Sequence, residues 1–438
     1  MKMKHLIAAA IVGCLAFAGI ALAQTYPPPM VSNIGATDIF QDIVGAYPQA
    51  ESYYATAAQV GGYGATLNGG NYDNTLIGGD FSDNLFQRGT SVLTAGTTYY
   101  VAYGADRWFT WGGTSTPTTM TKQTGAGDFP VKSSASYRIN KATLTGTAQI
   151  CTSQVVETAN MLRYQGQTAE FTFDAKAGAG FSAASSNLAV YVSTGTVADE
   201  GAVKMAYGLN AGGGAGTTPW TGQVNFGGTG GFLIPISATW GRYGVEVPIA
   251  AAALELGVSI CYTPVGTGTA TDWFEFGKAQ LTLNPAMNAF AGTAGAILNL
   301  NDPRQKAFGH KPSGVDAALQ YRYYYQINES ATSGAIQSGT GAYDTTTTCS
   351  IAFPLPAAMR KVPTYDAQLA ALSATTFKIV PDSVTPVVLA TTFAALQTGG
   401  STTTTGVVSF ITTTETQYIP CLLESVNGSG AFAFNAEE

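Results

Sequence analysis

The side chains best suited to holding a ligand are concentrated between residues 99 and 111, where Tyr99, Tyr100, Tyr103, Asp106, Arg107, Trp108, Phe109 and Trp111 follow in close succession. Flat aromatic rings pack against the apolar C–H faces of sugars, and charged groups of fixed geometry satisfy the hydroxyls. Tyr103, Asp106, Arg107, Trp108 and Trp111 are therefore the candidate carbohydrate-binding residues. Along an extended strand Trp108 and Phe109 face opposite sides, so only one of them can lie on a given surface. The competing structural reading makes Trp108 a core anchor and Asp106–Arg107 a local salt bridge. Trp220, Trp240 and the Tyr262/Trp273 region supply further rings.

Catalytic chemistry has little material. The only histidines are His5 and His310, so a Ser-His-Asp or Cys-His nucleophile would rest on His310 alone. HExxH and phosphate-loop patterns are absent. Two carboxylates suffice for glycoside hydrolysis, and Glu157, Glu170, Asp174, Glu246, Glu255 and Glu275 are available. Most fall in strand-like stretches where a solvated acid is the default, so the chain is read as a non-enzyme that needs no cofactor. A secreted polysaccharide depolymerase is the lesser alternative.

Composition narrows the elements that must position these groups. Only 11% of the 438 residues are charged, against about 25% in typical soluble domains. The 52 Gly and 19 Pro punctuate the chain too often for long helices, while 45% hydrophobic residues are too many for disorder. An all-β fold is expected. A formal charge of −7 with 20 Lys and Arg excludes a phosphate-neutralising stripe, hence no nucleic-acid partner. Residues 1–23, with Lys2 and Lys4 before an apolar run and Ala21-Leu22-Ala23 at its end, have a signal-peptide pattern. An uncleaved anchor, or a lipoprotein signal through Ile11-Val12-Gly13-Cys14, are its other readings.

Residues 24–80, with Pro27-Pro28-Pro29 and paired glycines, read as an extended tether with one short helix near 38–44 or 50–59. From 81 to 284 short alternating stretches such as Ala169–Ala175 and Asn187–Val192 mark a β-sandwich. Residues 208–216 read as a glycine-rich surface loop. Residues 285–330 form a linker with a short helix around Val315–Tyr325, its tyrosines packing the hinge. Threonine-rich strands in 331–438 make a second β domain, including Thr345–Phe353, Gly406–Ile411 and Ala431–Phe434. Cys151, Cys261, Cys349 and Cys421 remain beyond the leader. Pairing 151 with 261 and 349 with 421 keeps each bridge inside one domain, with buried free thiols as the alternative.

An ordered series of motifs carries a resemblance. Leu76-Ile77-Gly78-Gly79-Asp80-Phe81, Gln87-Arg88-Gly89-Thr90 and Ala105-Asp106-Arg107-Trp108 resemble the opening of bacteriophage tail-fibre and virion appendage proteins with a carbohydrate-binding-module-like jelly roll. Tyr164–Phe171 and Asp272–Leu281 resemble strands of that jelly roll. Leu319–Tyr324, Phe353–Thr364 and Phe434–Glu438 resemble the segments that follow it. The resemblance implies a jelly-roll β-sandwich, a short helical hinge and a C-terminal β-sandwich-like domain. It also implies a virion structural protein, a tail fibre or other appendage, that adheres to host surface glycans. Other virion proteins and further copies of the chain, often as trimers, would be its partners, and the virion its location. Trp240 resembles a core tryptophan of the jelly roll. Related modules often hold calcium through an acidic pair where this chain has Gly277-Lys278, so no metal is expected. The leader instead suits a secreted bacterial glycan-binding adhesin or surface-layer protein.

Overall fold

The computed structural model describes residues 74–93, 100–113, 117–141, 146–209, 218–265, 269–283, 295–298, 308–309, 311–328, 340–365, 377–381, 392–396, 405–411, 420–425 and 431–437. The leader, the tether up to residue 73 with its expected helix, His310 and most of the glycine-rich loop lie outside them.

The strands are β1 (Ser91–Leu93), β2 (Tyr100–Tyr103), β3 (Phe109–Gly112), β4 (Thr118–Gln123), β5 (Ser136–Lys141), β6 (Ile150–Val156), β7 (Thr168–Ala177), β8 (Asn187–Gly195), β9 (Val224–Phe226), β10 (Phe232–Pro235), β11 (Gly241–Pro248), β12 (Glu255–Tyr262), β13 (Trp273–Leu283) and β14 (Ala296–Ile297). One sheet runs β1-β4-β5-β13-β7-β11-β14, the other β10-β8-β12-β6-β3-β2 with β9 beside β8, and every pair is antiparallel. Alternation builds the core, because successive side chains point to opposite faces. Phe171, Phe173, Phe274, Phe276 and Ile139 of the first sheet meet Val190, Val192, Val258 and Ile260 of the second, all buried. The same parity sends Asp174, Lys176, Arg138 and Glu275 to the outer face.

The segment expected to end a tether instead joins the sandwich from residue 74. Where β5 stops pairing with β13, residues 74–80 take its place: the Thr75 amide donates to Leu281 O at 2.9 Å, and Ala279 donates to Gly79 O at 3.0 Å. A Cβ on Gly79 would clash with the Ala279 carbonyl, so the approach depends on glycine. Phe81 then enters the core beside Trp108, Tyr137 and Phe276.

Cys151 and Cys261 are cross-strand neighbours on β6 and β12 and are joined as a disulfide. Two helices punctuate the sandwich: α1 (Thr158–Met161) and α2 (Ala202–Leu209), the second unforeseen and burying Met205 and Ala206. A third, α3 (Ser313–Tyr321), is shorter than the sequence suggested. It stops before Tyr323 and Tyr324, which turn inward and are buried.

Beyond it lie β15 (Tyr324–Asn328), β16 (Thr340–Thr345), β17 (Thr348–Pro354), β18 (Thr364–Tyr365), β19 (Phe377–Pro381), β20 (Thr392–Leu396), β21 (Thr405–Ile411), β22 (Pro420–Ser425) and β23 (Ala431–Asn435). They form a three-stranded sheet, β15-β23-β18, and a six-stranded one, β19-β22-β16-β17-β21-β20. A second disulfide joins Cys349 of β17 to Cys421 of β22. Residues 71–438 cluster as one compact unit.

Candidate functional site

The five residues expected to face a sugar lie almost entirely inside the protein. Trp108 has no exposed surface and sits between the sheets, 5.2 Å from the Phe276 ring. Trp111 is equally buried in a separate cluster with Met205 and Trp220, its indole N–H donating to Ser153 Oγ at 3.0 Å. Neither offers a ring face to a ligand, which corrects the expectation for both.

Asp106 and Arg107 serve a buried charge network instead. Gln87 donates to Asp106 Oδ2 at 2.7 Å, and Arg88 stands 3.6 Å from Asp106 Oδ1. Arg107 Nη1 pairs with Glu437 at 2.6 Å, while Nη2 donates to Val155 O at 2.7 Å. The Arg107 guanidinium lies over Tyr323 and that of Arg88 over Tyr324, 3.5 and 3.4 Å from the ring centres. Of the tyrosines following α3, Tyr323 thus packs against the β2–β3 turn and Tyr324 against Arg88, just before β1.

Tyr103 and Arg107 do line a cleft with Glu157, Glu200, Glu255 and Arg360, but its volume is about 20 Å³. That is room for about one water and none for a sugar ring. Burial pushes Asp106 up to about 6, against the pull of Arg88, and Glu255 up to about 7. Carboxyls raised in the folded state stabilise it fully below their unfolded values, and this contribution disappears as pH rises through 6 and 7. The protein is therefore expected to melt higher at pH 5 than at pH 8. Asp106→Asn should flatten that rise between pH 8 and pH 5, measured by thermal unfolding across the range.

A different surface gathers rings and charges within reach of solvent: the outer face of β5, β13, β7 and β11. Register sets two cross-strand rows. In the first, Arg138, Glu275 and Lys176 are neighbours on β5, β13 and β7. Arg138 Nε donates to Glu275 Oε1 at 2.6 Å, and Lys176 Nζ stands 3.0 Å from Oε2. Burial raises the Glu275 carboxyl despite both cations. In the second row, Asp174 accepts from Arg242 Nη1 at 3.1 Å and lies 3.8 Å from Lys278 Nζ. Lys278 reaches this position because β13 is irregular between Gly277 and Gln280, where Lys278 has φ +48°.

Two half-buried indoles flank the rows. Trp273 lies beneath the Arg138 guanidinium at 4.1 Å and against Gly178, where a Cβ would collide with the ring. Lys176 Nζ lies between the rings, 5.4 Å from Trp240 and 5.6 Å from Trp273. The turn at Gly127, with φ +86°, aims one carbonyl at both Lys176 Nζ (2.8 Å) and the Trp240 indole N–H (3.1 Å). Asp128 beside it completes the rim, 3.2 Å from Lys176. Trp240 is therefore a rim residue, where a core position was expected. Sequence reasoning named both tryptophans as rings but missed Arg138, Lys176 and Arg242. The parity of Asp174 and Lys176 in β7 was the available signal.

The remaining candidate acids do not form an open pair. Glu170 and Glu246 are cross-strand neighbours with buried side chains, and Glu157 pairs with Arg322 at 3.2 Å. Among the described residues no group of His, Cys, Asp or Glu is arranged to hold a metal ion.

The sequence matches no protein-family model and no curated protein. Among solved structures, the chain is similar to the enzymatically active domain of tailspike protein 4 of bacteriophage CBA120, at 11% identity and TM-score 0.27, over 48% of this chain and 22% of that one. It is also similar to the C-terminal family 22 carbohydrate-binding module of a Clostridium thermocellum xylanase, at 14% identity and TM-score 0.24, over 43% of this chain and 96% of that one. A tandem pair of family 22 modules from Paenibacillus barcinonensis gives 9% identity and TM-score 0.24, over 83% and 96%. The chain spans less than a quarter of the tailspike domain's length.

Proposed function

We propose that this chain is an adhesion protein that binds glycans on the outer face of its first sheet, without a chemical step. The observation that supports the reading is the pair of half-buried indoles, Trp240 and Trp273, set on either side of Lys176 on a rigid sheet. Trp240 held this way can stack on a sugar face with little loss of side-chain freedom. Trp273, with Arg138 over its ring and Gly178 against it, adds its edge, and the ordered charges beside them match hydroxyls. The motif series further supports display on a phage appendage that meets host surface glycans. The leader-like residues 1–23 favour a second setting for the same adhesion, a secreted bacterial adhesin. Peptides in purified virions would support the first setting, and peptides confined to envelope or medium the second.

Adhesion itself is tested on a broad glycan array with the purified protein. Trp240→Ala and Trp273→Ala are each expected to weaken binding at least about tenfold while the far-ultraviolet circular dichroism stays unchanged. Absence of binding by the unsubstituted protein would overturn the reading.

A further inference from the structure

The outer face carries more positive charge than its rows need. Each row has a cation, a carboxylate and a second cation, so each carboxylate is shared between two positive groups. The Glu275 side chain is fully buried, whereas Arg138 and Arg242 keep 22% and 24% of their side-chain surface. Around the two indoles, with Asp128 counted on the rim, four cations face three carboxylates on a chain whose formal charge is −7, while the buried Glu170 and Glu246 lie further along β7 and β11. Arg138 commits Nε and Nη2 to Glu275, leaving Nη1 of its five-donor fork for another acceptor. These cations stand against the indoles, where a sugar stacked on Trp240 beside the Trp273 edge would place its substituents.

We infer that this face selects acidic glycans, whose sugars carry carboxylate or sulfate groups, over neutral ones. The inference rests on the adhesion reading and deepens it. Stacking on the indoles supplies affinity for any sugar; the surplus cations discriminate, because an anionic substituent gains attraction that a hydroxyl does not. Asp128, 33% exposed and 3.2 Å from Lys176, occupies part of that field and opposes an incoming anion.

The test is isothermal titration of the full chain with polygalacturonate, chondroitin sulfate and two neutral polymers, xylan and dextran, at 50 and 500 mM salt. At least one acidic polymer is expected to bind tenfold or more tightly than either neutral one at low salt. That advantage should shrink severalfold at high salt, because the screening length falls with ionic strength. Asp128→Asn, which keeps all four cations and removes the acid 3.2 Å from Lys176 and 3.7 Å from Arg138, should tighten binding to the acidic polymer severalfold. The two acidic polymers separate carboxylate from sulfate recognition. Equal binding of neutral and acidic polymers with no salt dependence, still lost in Trp240→Ala, would overturn acidic selection and leave adhesion standing. Failure of every polymer here, together with an empty glycan array, would overturn both.

Discussion

Trp108→Ala is expected to destabilise the protein by about 3–5 kcal/mol, the range for emptying a fully buried tryptophan site. The ring has no exposed surface and packs against Phe81 and Phe276 at 5.8 and 5.2 Å. Its indole N–H has no hydrogen-bond partner among the described residues, so the loss is one of packing. Trp108→Phe, which keeps a ring and removes that buried N–H, should cost markedly less. Urea unfolding measures both. Glycan affinity of the folded variants should equal that of the parent. A variant of unchanged stability that had lost glycan binding would return Trp108 to the ligand.

Arg107→Ala is expected to cost a similar amount, about 3–5 kcal/mol, for a different reason. Removing the guanidinium leaves the buried Glu437 carboxylate with Arg88 alone, at 3.5 Å, in the neighbourhood of Asp106. The penalty is that of an uncompensated charge, not the worth of an ion pair. Adding Glu437→Gln should therefore recover part of the loss, a coupling that a double-mutant cycle reads directly. A loss below about 1 kcal/mol, or additive behaviour, would mean that the charges are solvated and the network does not hold the two regions together.

These two residues mark the boundary of what the sequence made legible. Ala169–Ala175 and Asn187–Val192 reveal their strands because alternation is a local property, and β7 and β8 lie where it put them. The Gly-Gly-Asp-Phe and Ala-Asp-Arg-Trp motifs stand out equally well, but their meaning is not local. Arg107 is buried because Glu437 arrives 330 positions later, and without that partner a guanidinium beside two tryptophans resembles a sugar site. The charge rows were hidden for the same reason. Arg138, Glu275 and Lys176 become neighbours only when three strands take their register. Residues 74–80 look like linker because Gly78-Gly79 interrupts any alternating pattern, yet Gly79 is what allows the close approach to β13. Helix α2 was missed because it is only eight residues long and runs into the glycine-rich stretch from Gly208, although Ala202, Lys204, Met205, Ala206 and Leu209 favour helix and Met205 and Ala206 are buried.

Oxidative footprinting of the five tryptophans, with and without the tightest-binding glycan, tests the central claim most directly. Trp240 and Trp273 should be oxidised in the free protein and protected when glycan is bound. Trp108, Trp111 and Trp220, each at most 1% exposed, should stay unmodified in both states. Protection that maps elsewhere, with Trp240 and Trp273 oxidised equally in both states, would contradict the assignment of the outer face as the binding surface.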